Sequence, residues 1–119
     1  MQITTTFRGM SPSTGLQMAA ERWVGRLEQV YDRIVGCHII IERPHRHHTH
    51  GSPFQIHIAI AVPGTSLAVS HQTDKDAYVA LADAFRAARR QLLDHVGHQR
   101  DFVKPPAGGH YQGFVADKA

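Results

Sequence analysis

Between residues 54 and 62, Phe54, Ile56, Ile58, Ile60 and Val62 alternate without a break with Gln55, His57, Ala59 and Ala61. A period of two sends the first set to one face and the second set to the other, so the segment is a β-strand with one buried face. Pro63, Gly64 and Thr65 follow as a hairpin turn. Residues 66–72 return as a partner strand with Leu67, Val69 and His71 on one face. A hairpin this one-sided has to be covered on its apolar face by another layer of structure.

The remaining segments supply that layer and more strands. Residues 2–7 alternate Ile3, Thr5 and Phe7 against Gln2, Thr4 and Thr6, and residues 37–43 alternate Cys37, Ile39 and Ile41 against His38, Ile40 and Glu42. Both read as strands rich in β-branched residues, the second stopped by Pro44. Between them, Leu16, Ala20, Trp23, Leu27, Val30 and Ile34 recur at steps of three and four, which predicts a helix over about residues 12–31. Ser11 or Ser13 caps its start. Gly25 in its middle costs about 1 kcal/mol relative to alanine and suggests a close approach by another element. Tyr78, Leu81, Phe85, Ala88, Leu92 and Val96 keep the same spacing over residues 74–98, a second helix capped by Thr73 or Asp74.

The order is β-α-β-β-β-α. A strand, helix and strand within this length call for a right-handed crossover, which makes the first two strands parallel. The expected architecture is α+β: a four-stranded sheet with both helices packed on one face. Residues 1–100 form this domain. From Lys104 onward, Pro105, Pro106, Gly108 and Gly109 cannot continue a helix, so residues 101–119 read as a flexible tail.

With 119 residues, 42% apolar and 19% charged, the chain has the makeup of a single globular domain. It has no run near the roughly 20 apolar residues of a membrane helix and no signal-peptide pattern at its start. Its single cysteine, Cys37, has no partner for an internal disulfide, which fits a reducing cytoplasm. The formal net charge of +3 permits an anionic partner without demanding one.

The arginines are placed more pointedly. Arg22, Arg26 and Arg33 follow one another, with Gln29, at helical steps on the first helix; Arg86, Arg89 and Arg90 cluster on the second. If both helices cover the same sheet face, the two rows come to one surface. Charged helix residues are usually no more than a solvated face. Guanidiniums in rows on rigid elements nevertheless suit phosphate better than a small organic substrate.

The loop between the second and third strands holds His45, Arg46, His47, His48 and His50. Imidazoles at this density make a metal-binding or metal-sensing module the alternative reading. H-x-H-H-x-H fits no closed zinc pattern, however, and Arg43 and Arg46 would repel a cation. The same loop also reads as a basic finger reaching RNA. No metal or other cofactor and no small-molecule substrate is assigned. An enzyme using His57 and His71 ranks last, because no nucleophile or carboxylate accompanies them in the sequence. No G-x-S-x-G elbow, H-E-x-x-H or phosphate-binding glycine loop occurs. Cys37 and His38 point to opposite sheet faces.

Three stretches together resemble the ribosome hibernation-promoting factor and ribosome-associated inhibitor family, also called the sigma-54 modulation family. They are R-L-E-Q-V-Y-D-R-I at 26–34, P-H-R-H-H-T-H-G at 44–51 and D-A-Y-V-A-L-A-D-A-F-R-A-A-R-R-Q-L at 76–92. The similarity covers about residues 1–100. It implies a non-enzymatic translation inhibitor of idle bacterial ribosomes. Such a protein binds rRNA of the small ribosomal subunit, as a monomer, and blocks the channel for messenger and transfer RNA when growth slows. Arg26 and Arg90 match the family's basic positions, with Arg22, Arg86 and Arg89 as nearby substitutes. Trp23 and Ala87 stand where short members carry lysine, which leaves fewer cations here. The ribosome-pairing domain of long members is not expected in the short stretch after Arg100.

Overall fold

The computed structural model describes residues 1–44, 53–73 and 76–103, the side chains of 99–103 excepted. The histidine-rich loop 45–50, the proposed cap Asp74 and the part of the expected tail from 104 onward lie outside the described residues. The elements are β1 (Gln2–Arg8), α1 (Thr14–Val30), β2 (Gly36–Glu42), β3 (Phe54–Val62), β4 (Thr65–Thr73) and α2 (Ala77–Val103). Helix α2 thus continues three residues past Arg100.

The four strands form one sheet in the order β1-β2-β3-β4. β1 runs parallel to β2, and the other pairings are antiparallel. Register follows from alternation and from the hairpin. Val62 pairs with Thr65, leaving Pro63 and Gly64 as a two-residue loop, and every later pair is then fixed back to Phe54–Thr73. Gly64 takes φ +85, the left-handed conformation that a turn with proline before it requires. At the other end of the sheet, Gly9 leaves β1 at φ +69 and lies against the Arg43 carbonyl, where a Cβ would have no room. The Arg43 N–H donates to the Arg8 carbonyl at 3.0 Å beside it.

In-register side chains such as Ile39, Ile58 and Val69, or Ile41 and Ile56, put the strongly apolar residues of β2, β3 and β4, Ile40 excepted, on the same face. Both helices cover that face. Leu16, Ala19, Ala20, Val24 and Leu27 from α1 and Ala77, Ala80, Leu81, Ala84, Phe85, Ala88 and Leu92 from α2 join the sheet in one core. Each fully buried Leu, Ile, Val or Phe contributes about 1.5–3 kcal/mol. This is the α+β architecture the sequence predicts.

One open choice is settled and four local expectations need correction. Helix α1 begins at Thr14, with the Ser13 hydroxyl accepting from the Leu16 N–H at 3.1 Å, so Ser13 and not Ser11 is the cap. It ends at Val30, because Tyr31 is extended at φ −153, ψ 115, its N–H still bonded to the Leu27 carbonyl. Ile34 is buried nonetheless, from the turn beyond the helix, and Arg33 lies in that same turn and not on the helical stripe. In α2 the start is held by Asp76, whose carboxylate accepts from the Val79 N–H at 3.0 Å. Tyr78 is half exposed and not a core residue. Alanines 77, 80 and 84 take the buried arc and let the helix sit close to the sheet, while the Tyr78 hydroxyl fills the space left by Gly15 at the start of α1. Gly25, by contrast, has open space where a Cβ would be, so no element approaches it.

Candidate nucleic-acid interface

Where α1 crosses α2, the half-buried Trp23 stacks on the fully buried Phe85, with ring centroids 5.8 Å apart and planes within 8°. The indole is thereby anchored to the core. Its periphery then holds two cations from different helices. The guanidinium carbon of Arg26 lies 4.5 Å from the indole centroid, and that of Arg86 lies 5.8 Å from it. Both distances are within the reach at which an aromatic quadrupole attracts a cation. The two arginine rows therefore meet at one aromatic ring.

Arg22 precedes Arg26 by one turn of α1 and Arg90 follows Arg86 by one turn of α2; all four, with Arg89, are exposed. Arg33 is exposed too, but stands off the helix in the turn at 31–35. Arg86 donates to Asp83 Oδ1 at 3.0 Å. Among the described residues no carboxylate lies within 4.0 Å of Arg22, Arg26, Arg33, Arg89 or Arg90. Their charge is left open to an outside anion.

The uncovered sheet face is polar and cross-linked by side chains. Thr6 Oγ1 and His38 Nε2 are 3.1 Å apart, and Gln55 donates to Gln72 at 3.1 Å. His57 Nδ1 is 2.9 Å from Ser70 Oγ, and its Nε2 is 3.7 Å from Glu42 Oε1. The expectation that His57 has neither hydroxyl nor carboxylate beside it is therefore wrong. His71 likewise has Asp83 Oδ2 at 3.6 Å. The Ser70–His57 pair follows from the two-residue loop that pairs Val62 with Thr65, a register that the turn read over residues 63–65 left open. The Glu42 contact was not legible either, because its register depends on the long loop between β2 and β3. Ser70 sits on a regular strand in open solvent, without the strand-to-helix elbow that presents a hydrolase nucleophile. These contacts pin side chains across the sheet.

Cys37 is buried on the covered face, and burial pushes its thiol up from 9.0 to about 12. A thiol held protonated in this way is a packing residue and a poor nucleophile or ligand. His38, its neighbour, is exposed on the other face, as alternation requires. Among the described residues no group of three His, Cys, Asp or Glu side chains is placed to hold a metal ion. No helix among them is long and apolar enough to cross a membrane.

A family model described as "Sigma 54 modulation protein / S30EA ribosomal protein" matches residues 3–100, spanning all four strands and nearly all of α2. The chain belongs to this family. It is thus a member of a group of ribosome-associated modulation proteins, and the family resemblance read from the sequence holds. Among solved structures, it is similar to a ribosomal subunit interface protein from Coxiella burnetii, with a TM-score of 0.69 and 21% identity over 82% of this chain and 99% of that one. It is also similar to the N-terminal domain of Protein Y from Thermus thermophilus, with a TM-score of 0.68 and 18% identity over 80% and 99% of the two chains. Identities this low show a shared fold. Comparison with the curated proteins gives no match.

Proposed function

We propose that the protein binds rRNA of the small ribosomal subunit through the outer faces of α1 and α2 and thereby blocks the channel used by messenger and transfer RNA. The observation that carries this reading is the meeting of Arg26 and Arg86 on Trp23, with Arg22, Arg89 and Arg90 exposed alongside. A rigid cationic surface built from two helices is suited to a fixed pattern of phosphates, and it recognises RNA by backbone shape more than by base sequence. Arg33, off the helix, contributes from the margin. The inhibition is by occupancy: no bond is made or broken, and no cofactor or small-molecule substrate is needed. The site of action is the bacterial cytoplasm, in cells whose ribosomes are idle.

Co-sedimentation with purified small ribosomal subunits tests the proposal. Binding should weaken steeply as salt rises, with a log–log slope of roughly 0.7–0.9 per phosphate contacted. Replacing Arg26, Arg86 and Arg90 together by alanine should abolish binding at moderate salt. Wild-type binding by that triple variant would overturn the proposed surface.

A further inference from the structure

Of the surface arginines, Arg86 alone has a carboxylate within ion-pair distance among the described residues, and that carboxylate is shared. Asp83 Oδ1 accepts from Arg86 at 3.0 Å, while Oδ2 faces His71 Nε2 at 3.6 Å. At 3.6 Å the imidazole is too far for a good hydrogen bond, and its Nε2 is shielded from solvent with no hydrogen-bond partner among the described residues. Arg86 in turn leans over Trp23. The chain of contacts therefore runs from β4, through one carboxylate of α2, to the arginine at the centre of the proposed RNA surface.

We infer that Asp83 is a positioning residue that restrains Arg86, and that the protonation state of His71 sets how strongly it does so. With a neutral imidazole, Asp83 and Arg86 form an isolated pair of zero net charge. When the imidazole takes up a proton, Asp83 is shared between two cations, the cluster carries +1, and Arg86 is freer to turn to a phosphate. Binding to RNA therefore tightens on acidification, when the imidazole gains its proton. The remaining surroundings of His71 do not compete. Across the strand pair it meets Ile56, flanked on the same face by Phe54 and Ile58, and Arg43 lies over the Phe54 ring. Among the described residues no carboxylate other than Asp83 is within 4.0 Å of it. On the sheet face that α1 and α2 leave uncovered, His57 has its own carboxylate, Glu42, which makes it an internal control.

The inference rests on the helix face being the RNA surface, and the experiment separates the two. Affinity for purified bacterial small ribosomal subunits is measured at fixed ionic strength at pH 8 and pH 6 for wild type, His71→Gln, Asp83→Asn, His57→Gln and Arg26→Ala. Other histidines also gain protons, so the quantity that matters is the difference between variants. The wild type should gain about two- to five-fold more affinity on acidification than His71→Gln, the range a partly exposed ion pair covers. His57→Gln should follow the wild type. Asp83→Asn should bind about two- to five-fold tighter than wild type at pH 8 and show a flatter profile, which keeps the test valid should His71→Gln fold poorly. Superimposed pH profiles for wild type and His71→Gln, or no gain at pH 8 from Asp83→Asn, overturn the restraint while loss of binding in Arg26→Ala upholds the surface. Unchanged binding by Arg26→Ala overturns both.

Discussion

The Trp23 indole lies flat against Phe85, two rings from different helices with their planes within 8°. Because Phe85 is fully buried, the orientation of the indole is set by the core and not by solvent-exposed neighbours. Arg26 and Arg86 therefore gather on a fixed platform, which lowers the ordering cost of presenting two long side chains to one partner.

Replacing Trp23 by leucine keeps an apolar side chain at the helix seam and removes the platform. Each cation–π contact at such a site is worth about 0.5–1 kcal/mol. Small-subunit affinity should fall by roughly three- to tenfold, since both arginines lose their common support. Urea denaturation should show a destabilisation of about 1–3 kcal/mol from the lost ring packing.

Two glycines should respond oppositely to alanine. Gly25 lies within α1 with open space around its Cβ position, so Gly25→Ala should raise stability by about 1 kcal/mol through helix propensity. Gly9 is at φ +69 against the Arg43 backbone, so Gly9→Ala should destabilise by more than about 1 kcal/mol. Thermal unfolding of the two variants checks both signs.

The cap of α1 gives a sharp comparison between neighbouring serines. Ser13→Ala removes the acceptor of the Leu16 N–H and should cost about 1 kcal/mol. Ser11→Ala, outside the helix, should cost almost nothing. Equal losses for the two would move the cap.

The Cys37 thiol, raised by burial from 9.0 to about 12, links folding to alkaline pH. A raised folded-state value favours the protonated form, so its stabilisation is complete below pH 9.0 and is lost as pH rises towards 12. Denaturation midpoints should fall above about pH 9. At pH 8 iodoacetamide should label the native thiol at least about 100-fold more slowly than the urea-unfolded chain.

Much of this molecule was fixed by local pattern. The break-free alternation of Phe54 to Val62, the turn signal of Pro63 and Gly64 after it and the three–four spacing of Leu81, Phe85, Ala88 and Leu92 are short-range features. Each specifies an element and its buried face without reference to anything distant, because side-chain direction repeats every 2 or 3.6 residues. The element order and the handedness of the crossover then left few ways to stack them, so the sheet and both helices on one face were already implied.

Tertiary structure decided what depends on two segments meeting. Trp23 reads along the chain as one more member of an apolar stripe; only the crossing of α1 over α2 turns it into a platform for Arg26 and Arg86. The same holds where His71 meets Asp83 and where Glu42 meets His57 across strands, and where the extended backbone of Tyr31 ends α1 and leaves Arg33 outside it. Periodicity determines which way a side chain points, but distances between side chains remote in sequence come from how the layers pack, and the charge balance of the arginine surface is built from those distances.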